Sequence, residues 1–297
     1  MEFFLTLVAS DVPLSSGQLA ITERYLDSEG VLITKQPEWL EDRKAADIGL
    51  SQAVTLNQMK ALRQIHDEHR IDIFCTSDQN RRKNLFLADM DSTIVTSETL
   101  DELAAEAGIK DKISKITERA MRGELDFHAA LKERAGLIKG LSTKALKRTL
   151  DTTKLSKGAK ITLNSLRKQD VFCVLVSGGF TYFTDAIASQ LGFNANHGNV
   201  LGIENEQLTG GVQEPILDKD SKLNFLKLYC EELSINVSQT IAIGDGANDL
   251  PMLEAAGLGI GYHPKPLLED TLLNCIRHSD LTSVLYAQGY KSSEIAK

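Results

Sequence analysis

Apolar and polar positions follow two regimes along the chain. Over about the first eighty residues, short apolar or alternating runs trade places with amphipathic stretches. Phe3–Ala9 predicts a strand, Gln18–Leu26 a helix, and Val31–Thr34 and Ala46–Leu50 two further strands. Asn57–His69 places Met59, Leu62 and Ile65 on one side of a helix, and Ile71–Cys75 closes with a strand. The order β-α-β-β-α-β is that of a small ferredoxin-like α+β unit over residues 1–76. The polar, basic stretch at 77–84 predicts a linker.

From Leu85 the runs become continuous and widely spaced. Leu85–Ala88, Val171–Val176, Thr240–Ile243 and Leu258–Tyr262 read as buried strands. Separations this long require crossover helices, so residues 85–297 predict an α/β domain with a doubly wound parallel sheet. Glu98–Thr153 is rich in Ala, Leu, Lys and Glu and lacks proline. It is too long for one crossover and predicts an inserted helical cap over about residues 98–155. Two short apolar runs around a polar turn in 199–215 predict a β-hairpin.

The strand ends carry the candidate chemistry. Leu85–Ala88 delivers Asp89 and Asp91 at its carboxyl end, where open α/β sheets bind ligands. Residues i and i+2 of an extended segment share a side, and two carboxylates that close are costly unless a cation or a shared proton relieves them. Magnesium, a hard ion that takes oxygen ligands, fits that need. Ser177-Gly178-Gly179 follows the second strand and precedes a helix, offering a hydroxyl and unhindered N–H groups to an anion. Gly244-Asp245-Gly246-Ala247-Asn248-Asp249 follows the third, and Asp245 can supply a third carboxylate. Lys222 opens a helix bearing Leu223, Leu226, Leu228 and Leu233. Singly, each has a bland reading: a solvated turn, a capped turn, a surface lysine. Among the histidines, His66 and His69 are three apart with no third ligand near and read as surface residues. His128, His197, His263 and His278 are isolated.

Taken in order, Asp-Met-Asp-Ser-Thr at 89–93, Val-Ser-Gly-Gly-Phe at 176–180, Lys222 and Gly-Asp-Gly-Ala-Asn-Asp at 244–249 resemble the haloacid-dehalogenase phosphatase superfamily. The likeness covers about residues 85–285 and is nearest to the phosphoserine-phosphatase branch, with no departure at a catalytic position. The resemblance implies that Asp89 is the nucleophile forming an aspartyl-phosphate, and Asp91 the general acid and then base. It implies Mg²⁺ bridging Asp89, the backbone carbonyl of Asp91 and Asp245, with Ser177, Gly178 and Lys222 on the phosphoryl oxygens. Asn248 would contact phosphate or substrate, and Asp249 would orient Lys222 or the metal shell. In the cap, Glu98 would meet the substrate ammonium and Arg134 its α-carboxylate, while Met121 and Phe127 would exclude water. Glu98 and Arg134 also have bland readings, an exposed first-turn acid and a surface arginine.

The activity so implied is hydrolysis of O-phospho-L-serine, the last step of serine synthesis. Another phosphatase or phosphotransferase, acting on a small phosphomonoester such as phosphohomoserine, stays open. A regulatory serine-binding protein with a silent core would be expected to have lost Asp89, Asp91 or Lys222, and all three are present. Residues 1–76 resemble a regulatory domain of the ACT kind, so a regulatory amino acid is a candidate ligand there, and a homodimer stays open.

Composition narrows the setting. With 297 residues, 42% hydrophobic and 25% charged, the chain can bury two cores. A net charge of −8 argues against nucleic acid or an anionic membrane as main partner. Four scattered cysteines with no Cys-x-x-Cys pair favour a reducing compartment, and Cys173 reads as a core residue. The apolar start carries Glu2, lacks a basic flank and reaches Asp11 too soon for a signal peptide, so a cytoplasmic location is expected.

Overall fold

The computed structural model describes residues 2–121 and 124–297, and the side chains of all of these except Glu118, Ala120, Met121 and Lys219. The first part runs β1 (Phe3–Ala9), α1 (Ser16–Ser28), β2 (Ile33–Glu41), β3 (Ala45–Leu50), α2 (Leu56–His66) and β4 (Ile71–Ser77). Its strands form one antiparallel sheet in the order β2-β3-β1-β4. Both helices start at capping boxes, Ser15 with Gln18 and Thr55 with Gln58, which satisfy N–H groups the helix itself leaves unpaired. β2 runs well past the predicted Thr34 because it is an edge strand: Pro37 and its charged residues are tolerated where one side has no ladder.

Two readings of α2 need correction. Its buried face is Met59, Leu62, Arg63 and His66, whereas Ile65 is exposed. His66 is not a surface residue; it is fully buried, with Nε2 2.8 Å from the Thr22 hydroxyl of α1. Its partner is 44 positions away, so no local pattern could reveal it.

The N-terminal sheet is covered on both faces. Leu5, Leu7, Ile48 and Ile73 pack under the two helices, while Val8, Ala45 and Phe74 join the core of the rest of the chain beside Tyr286 and Ala287. Residues 77–84 pass through this seam. Arg81 grips both oxygens of Asp47 at 2.7 and 2.8 Å, and the Lys83 ammonium donates to the Ser238 carbonyl at 2.7 Å. Burial pulls the Lys83 pKa down to about 8.

The remainder begins with β5 (Leu85–Ala88), followed by four cap helices: α3 (Thr99–Glu106), α4 (Lys110–Met121), α5 (Phe127–Leu137) and α6 (Thr143–Thr152). Then come α7 (Ala159–Arg167), β6 (Phe172–Phe180), α8 (Thr181–Leu191), β7 (Ala195–Asn199), and the hairpin β8 (Leu201–Glu204) and β9 (Gln207–Val212). The chain finishes with α9 (Lys219–Glu232), β10 (Thr240–Gly244), α10 (Leu250–Ala255), β11 (Leu258–Tyr262), α11 (Pro266–Thr271), β12 (Cys275–Ile276) and α12 (Ser283–Ala287). Six strands form a parallel sheet in the order β12-β11-β10-β5-β6-β7, the predicted doubly wound α/β fold with its inserted helical cap.

Both faces of this sheet are buried, which explains the continuous apolar runs. Leu85 and Leu87 enter the core under α9 and α10, and Phe86 and Ala88 the core on the opposite face. β5 is central, and Ala88 lies in register with Leu175 of β6 and Ile243 of β10. Three strands therefore end side by side, and Asp89, Ser177 and Asp245 emerge at one edge. The hairpin props the cap there, with Gly140 and Leu141 exchanging backbone hydrogen bonds with Leu208 at 2.8 and 2.9 Å. Among the described residues, no helix is long and apolar enough to cross a membrane.

Candidate active site

The strand ends and the cap enclose a cavity of about 160 Å³. Of the residues singled out from sequence, Asp89, Asp91, Glu98, Phe127, Arg134, Ser177, Gly178, Asp245 and Asn248 line it. Lys222 and Asp249 stand directly behind, almost without solvent. Met121 ends α4, and its side chain lies outside the described residues.

The floor is an ionic cluster. Lys222, presented by the first turn of α9, puts its ammonium 2.6 Å from Oδ1 of Asp89 and 2.5 Å from Oδ1 of Asp249. Burial alone would lower the lysine's pKa, but the two carboxylates outweigh it and hold the group protonated. Asp249 is fully engaged, since its other oxygen accepts from the Gly246 N–H at 3.1 Å. Gly244 permits this packing: a Cβ there would come within 2.6 Å of the Asp249 Cβ and Oδ2. Oδ2 of Asp89 and Oδ1 of Asp245 have no donor among the described residues.

Asp89, Asp245 and Asp249 bring carboxylate oxygens within 4.8 Å of one another. Lys222, between Asp89 and Asp249, and Lys265, 3.0 Å from Asp245, together leave one of the three charges unbalanced. Burial and then Asp249 push the Asp89 carboxyl well up, against the pull of Lys222, and burial also raises Asp245. A buried excess of negative charge with two open hard-oxygen donors fits a small divalent cation.

Asp91 is placed by a tight turn in which Ser92 adopts a left-handed φ of 57°. Its Oδ1 accepts from the Thr99 N–H at 3.0 Å, and Oδ2 lies 3.4 Å from the Ser177 hydroxyl. Burial, and then the negative charge of Glu98, push the Asp91 carboxyl up to about 7. Ser177 in turn accepts from the Gly179 N–H at 2.9 Å. A side chain at Gly179 would collide with Asp91, its Cβ only 2.8 Å from Oδ2, so glycine is required for this close approach.

The upper wall differs in kind. Phe127, Leu131 and Leu100 supply apolar surface, and Arg134 reaches in from α5 with Nε on the Ala130 carbonyl at 3.3 Å. No carboxylate lies within salt-bridge distance of Arg134 among the described residues, and burial lowers its pKa. Glu98, half exposed, accepts from the Ser92 hydroxyl at 2.8 Å. One pocket thus holds a buried carboxyl fixed by a lysine, a second acid raised to about 7, and, among the described residues, a guanidinium with no carboxylate at salt-bridge distance across from the half-exposed Glu98. Such a set suits attack on an anionic ester whose far end is zwitterionic.

Lys265 is the charged lining residue that sequence reasoning missed. It follows β11 and stands 3.0 Å from Oδ2 of Asp245 and 4.0 Å from Glu98. The available signal was its place just beyond the carboxyl end of the fourth predicted strand.

Residues 86–254 match the haloacid dehalogenase-like hydrolase model, and the chain belongs to that family. It is 41% identical over 239 residues to the phosphoserine phosphatase of Archaeoglobus fulgidus, covering 80% of this chain and 70% of that one. It spans 52% and 58% of the length of two longer relatives of the same name. Among solved structures, a haloacid-dehalogenase family hydrolase from Salmonella enterica serovar Typhi superposes with a TM-score of 0.85 at 27% identity, over 96% of this chain and 98% of its own. A phospho-aspartyl intermediate analogue of phosphoserine phosphatase superposes with a TM-score of 0.65 at 36% identity, over 69% of this chain and 98% of its own.

Proposed function

We propose that this chain hydrolyses O-phospho-L-serine to L-serine and phosphate, with Asp89 carrying the phosphoryl group between two half-reactions. The observation that carries the reading is the opposition, across one cavity, of Glu98 and Arg134 to the Asp89–Lys222 pair. A zwitterionic amino-acid end and a phosphate end are thereby bound at once. The curated relatives of this name support it.

In the first half-reaction a carboxylate oxygen of Asp89, a side chain that lines the cavity and is held by Lys222, bonds to phosphorus as the bond to the serine oxygen breaks. Asp91, with its carboxyl raised to about 7, gives that oxygen a proton. In the second, a water oxygen bonds to phosphorus, the Asp89–phosphorus bond breaks, and the water's proton passes to Asp91. The Ser177 hydroxyl, the Gly178 N–H and Lys222 bind the phosphoryl oxygens, and Asn248 contacts phosphate or substrate. Asp249 keeps Lys222 directed at Asp89. Asp89, Asp245 and the Asp91 backbone carbonyl would hold Mg²⁺, which when bound supplies positive charge to the phosphoryl oxygens. Phe127 shields the site from water. The four cysteines are all free, which fits a reducing cytoplasm.

Phosphate release from a panel of phosphoserine, phosphothreonine, phosphohomoserine and an aryl phosphate tests this. Phosphoserine should give the highest kcat/KM; preference for a substrate lacking the amino-acid end would overturn the reading.

A further inference from the structure

One charged side chain in the cavity is left without a task by this chemistry. The Lys265 ammonium lies 3.0 Å from Oδ2 of Asp245 and 4.0 Å from Oε1 of Glu98, with half of the lysine side chain and half of that of Glu98 open to solvent. The backbone holds it there from both directions. Its own N–H donates to the Asp245 carbonyl at 2.9 Å, and Pro266 then opens α11. The far end of α11 is gripped by Arg63 of α2, whose Nη atoms donate to the carbonyls of Glu269, Leu272 and Leu273 at 3.2, 3.0 and 2.9 Å. Lys265 is thus fixed at its root, with its half-exposed tip between two carboxylates.

We propose that Lys265 is a specificity-determining counter-ion, which neutralises Glu98 and Asp245 in the substrate-free cavity and yields Glu98 to the substrate's ammonium. The inference rests on the amino-acid phosphatase reading. A cation already beside Glu98 is displaced only by a ligand bringing its own cation to that spot. A ligand without one leaves the lysine in place and gains from its positive charge. Lys265 therefore narrows the difference between amine-bearing and amine-free substrates, and its removal widens it. Beside Asp245 the same charge opposes a second cation, so its removal strengthens metal binding.

The test uses the full chain with Lys265→Met and Lys265→Arg. Phosphoserine is compared with the analogue carrying a hydroxyl in place of the ammonium. Lys265→Met should raise the ratio of the two kcat/KM values roughly fivefold, the scale of a half-exposed ion pair, and Lys265→Arg should restore it. In a Glu98→Gln background, Lys265→Met should leave the ratio unchanged, because the coupling is between those two side chains. Independently of turnover, calorimetric titration with magnesium alone should show several-fold tighter binding to Lys265→Met. Equal losses on both substrates, or metal binding unchanged or weakened by Lys265→Met, would overturn the proposal. An unmutated chain inactive on phosphoserine would instead remove the underlying reading, and the magnesium titration would then decide the role of Lys265 at Asp245.

Discussion

Asp72 and Asp89 are both acids buried almost completely, 2% and 4% exposed, yet their surroundings differ in kind. Asp72, at the seam between the N-terminal sheet and the rest of the chain, accepts from the N–H groups of Arg277, His278 and Ser279 and from the Ser279 hydroxyl. Nearby, Asp47 has both oxygens gripped by Arg81. Both of these carboxylates have both oxygens hydrogen-bonded, which is how structure tolerates buried charge. Asp89 shares one lysine with Asp249, stands near Asp245, and keeps an oxygen turned to an open cavity. The seam spends its charges on holding two sheets together. The site keeps a buried imbalance around Asp89, and burial with Glu98 raises the neighbouring Asp91 to about 7, the kind of perturbation that gathers at functional sites.

The contrast can be broken most severely by exchanging activity for stability. Asp89→Asn should lower turnover about a thousandfold or more. By relieving the excess of acids it should also raise unfolding stability by about 1 kcal/mol. Asp72→Ala should do the reverse, costing about 3 kcal/mol of stability in urea by leaving several buried N–H groups unpaired, with kcat within about twofold. If Asp72→Ala silenced the enzyme without unfolding it, the seam would be part of the site.

Arg134→Ala sharpens the contrast within the site. Losing the charge-assisted pair with a substrate carboxylate should cost roughly 3 kcal/mol, about a hundredfold in kcat/KM on phosphoserine, and far less on an aryl phosphate. Equal losses on both substrates would mark a structural arginine.

The smallest effect concerns His66, a buried base that should touch stability and not rate. Burial holds its pKa down to about 4, below the value of an exposed imidazole. The unfolded chain therefore takes up a proton first as pH falls. Stability from this group is complete above pH ~6.5 and is lost on acidification toward the folded pKa, by about 2 kcal/mol at pH ~5. Urea midpoints at neutral and mildly acidic pH should fall further for the unmutated chain than for His66→Gln; parallel slopes would show that the ring is protonated in the fold.

Much of this was legible because a buried parallel strand writes itself as an unbroken apolar run. The ends of β5, β6 and β10, and with them Asp89, Ser177 and Asp245, stood out for that reason. β7, whose sequence Ala-Asn-His-Gly-Asn has no apolar run, and the two-residue β12 did not, since edge strands are defined by their neighbour and not by their own side chains. His66 and Lys265 were missed for a related reason: each takes its meaning from a partner distant in sequence, Thr22 for one and Asp245 for the other. Asp72 likewise looks like any strand acid until residues 277–279 fold against it.

We propose that the imbalance at Asp89 makes that carboxylate the phosphoryl carrier. The most direct test is to mix the full chain with phosphoserine carrying a labelled phosphate, quench in acid within the first turnovers, reduce with borohydride and map the modified peptide by mass. One modified residue, Asp89, is expected, with the adduct absent from Asp89→Asn and retained in a folded Asp72 variant. Phosphate release with no trapped adduct, or an adduct on another residue, would contradict the proposal.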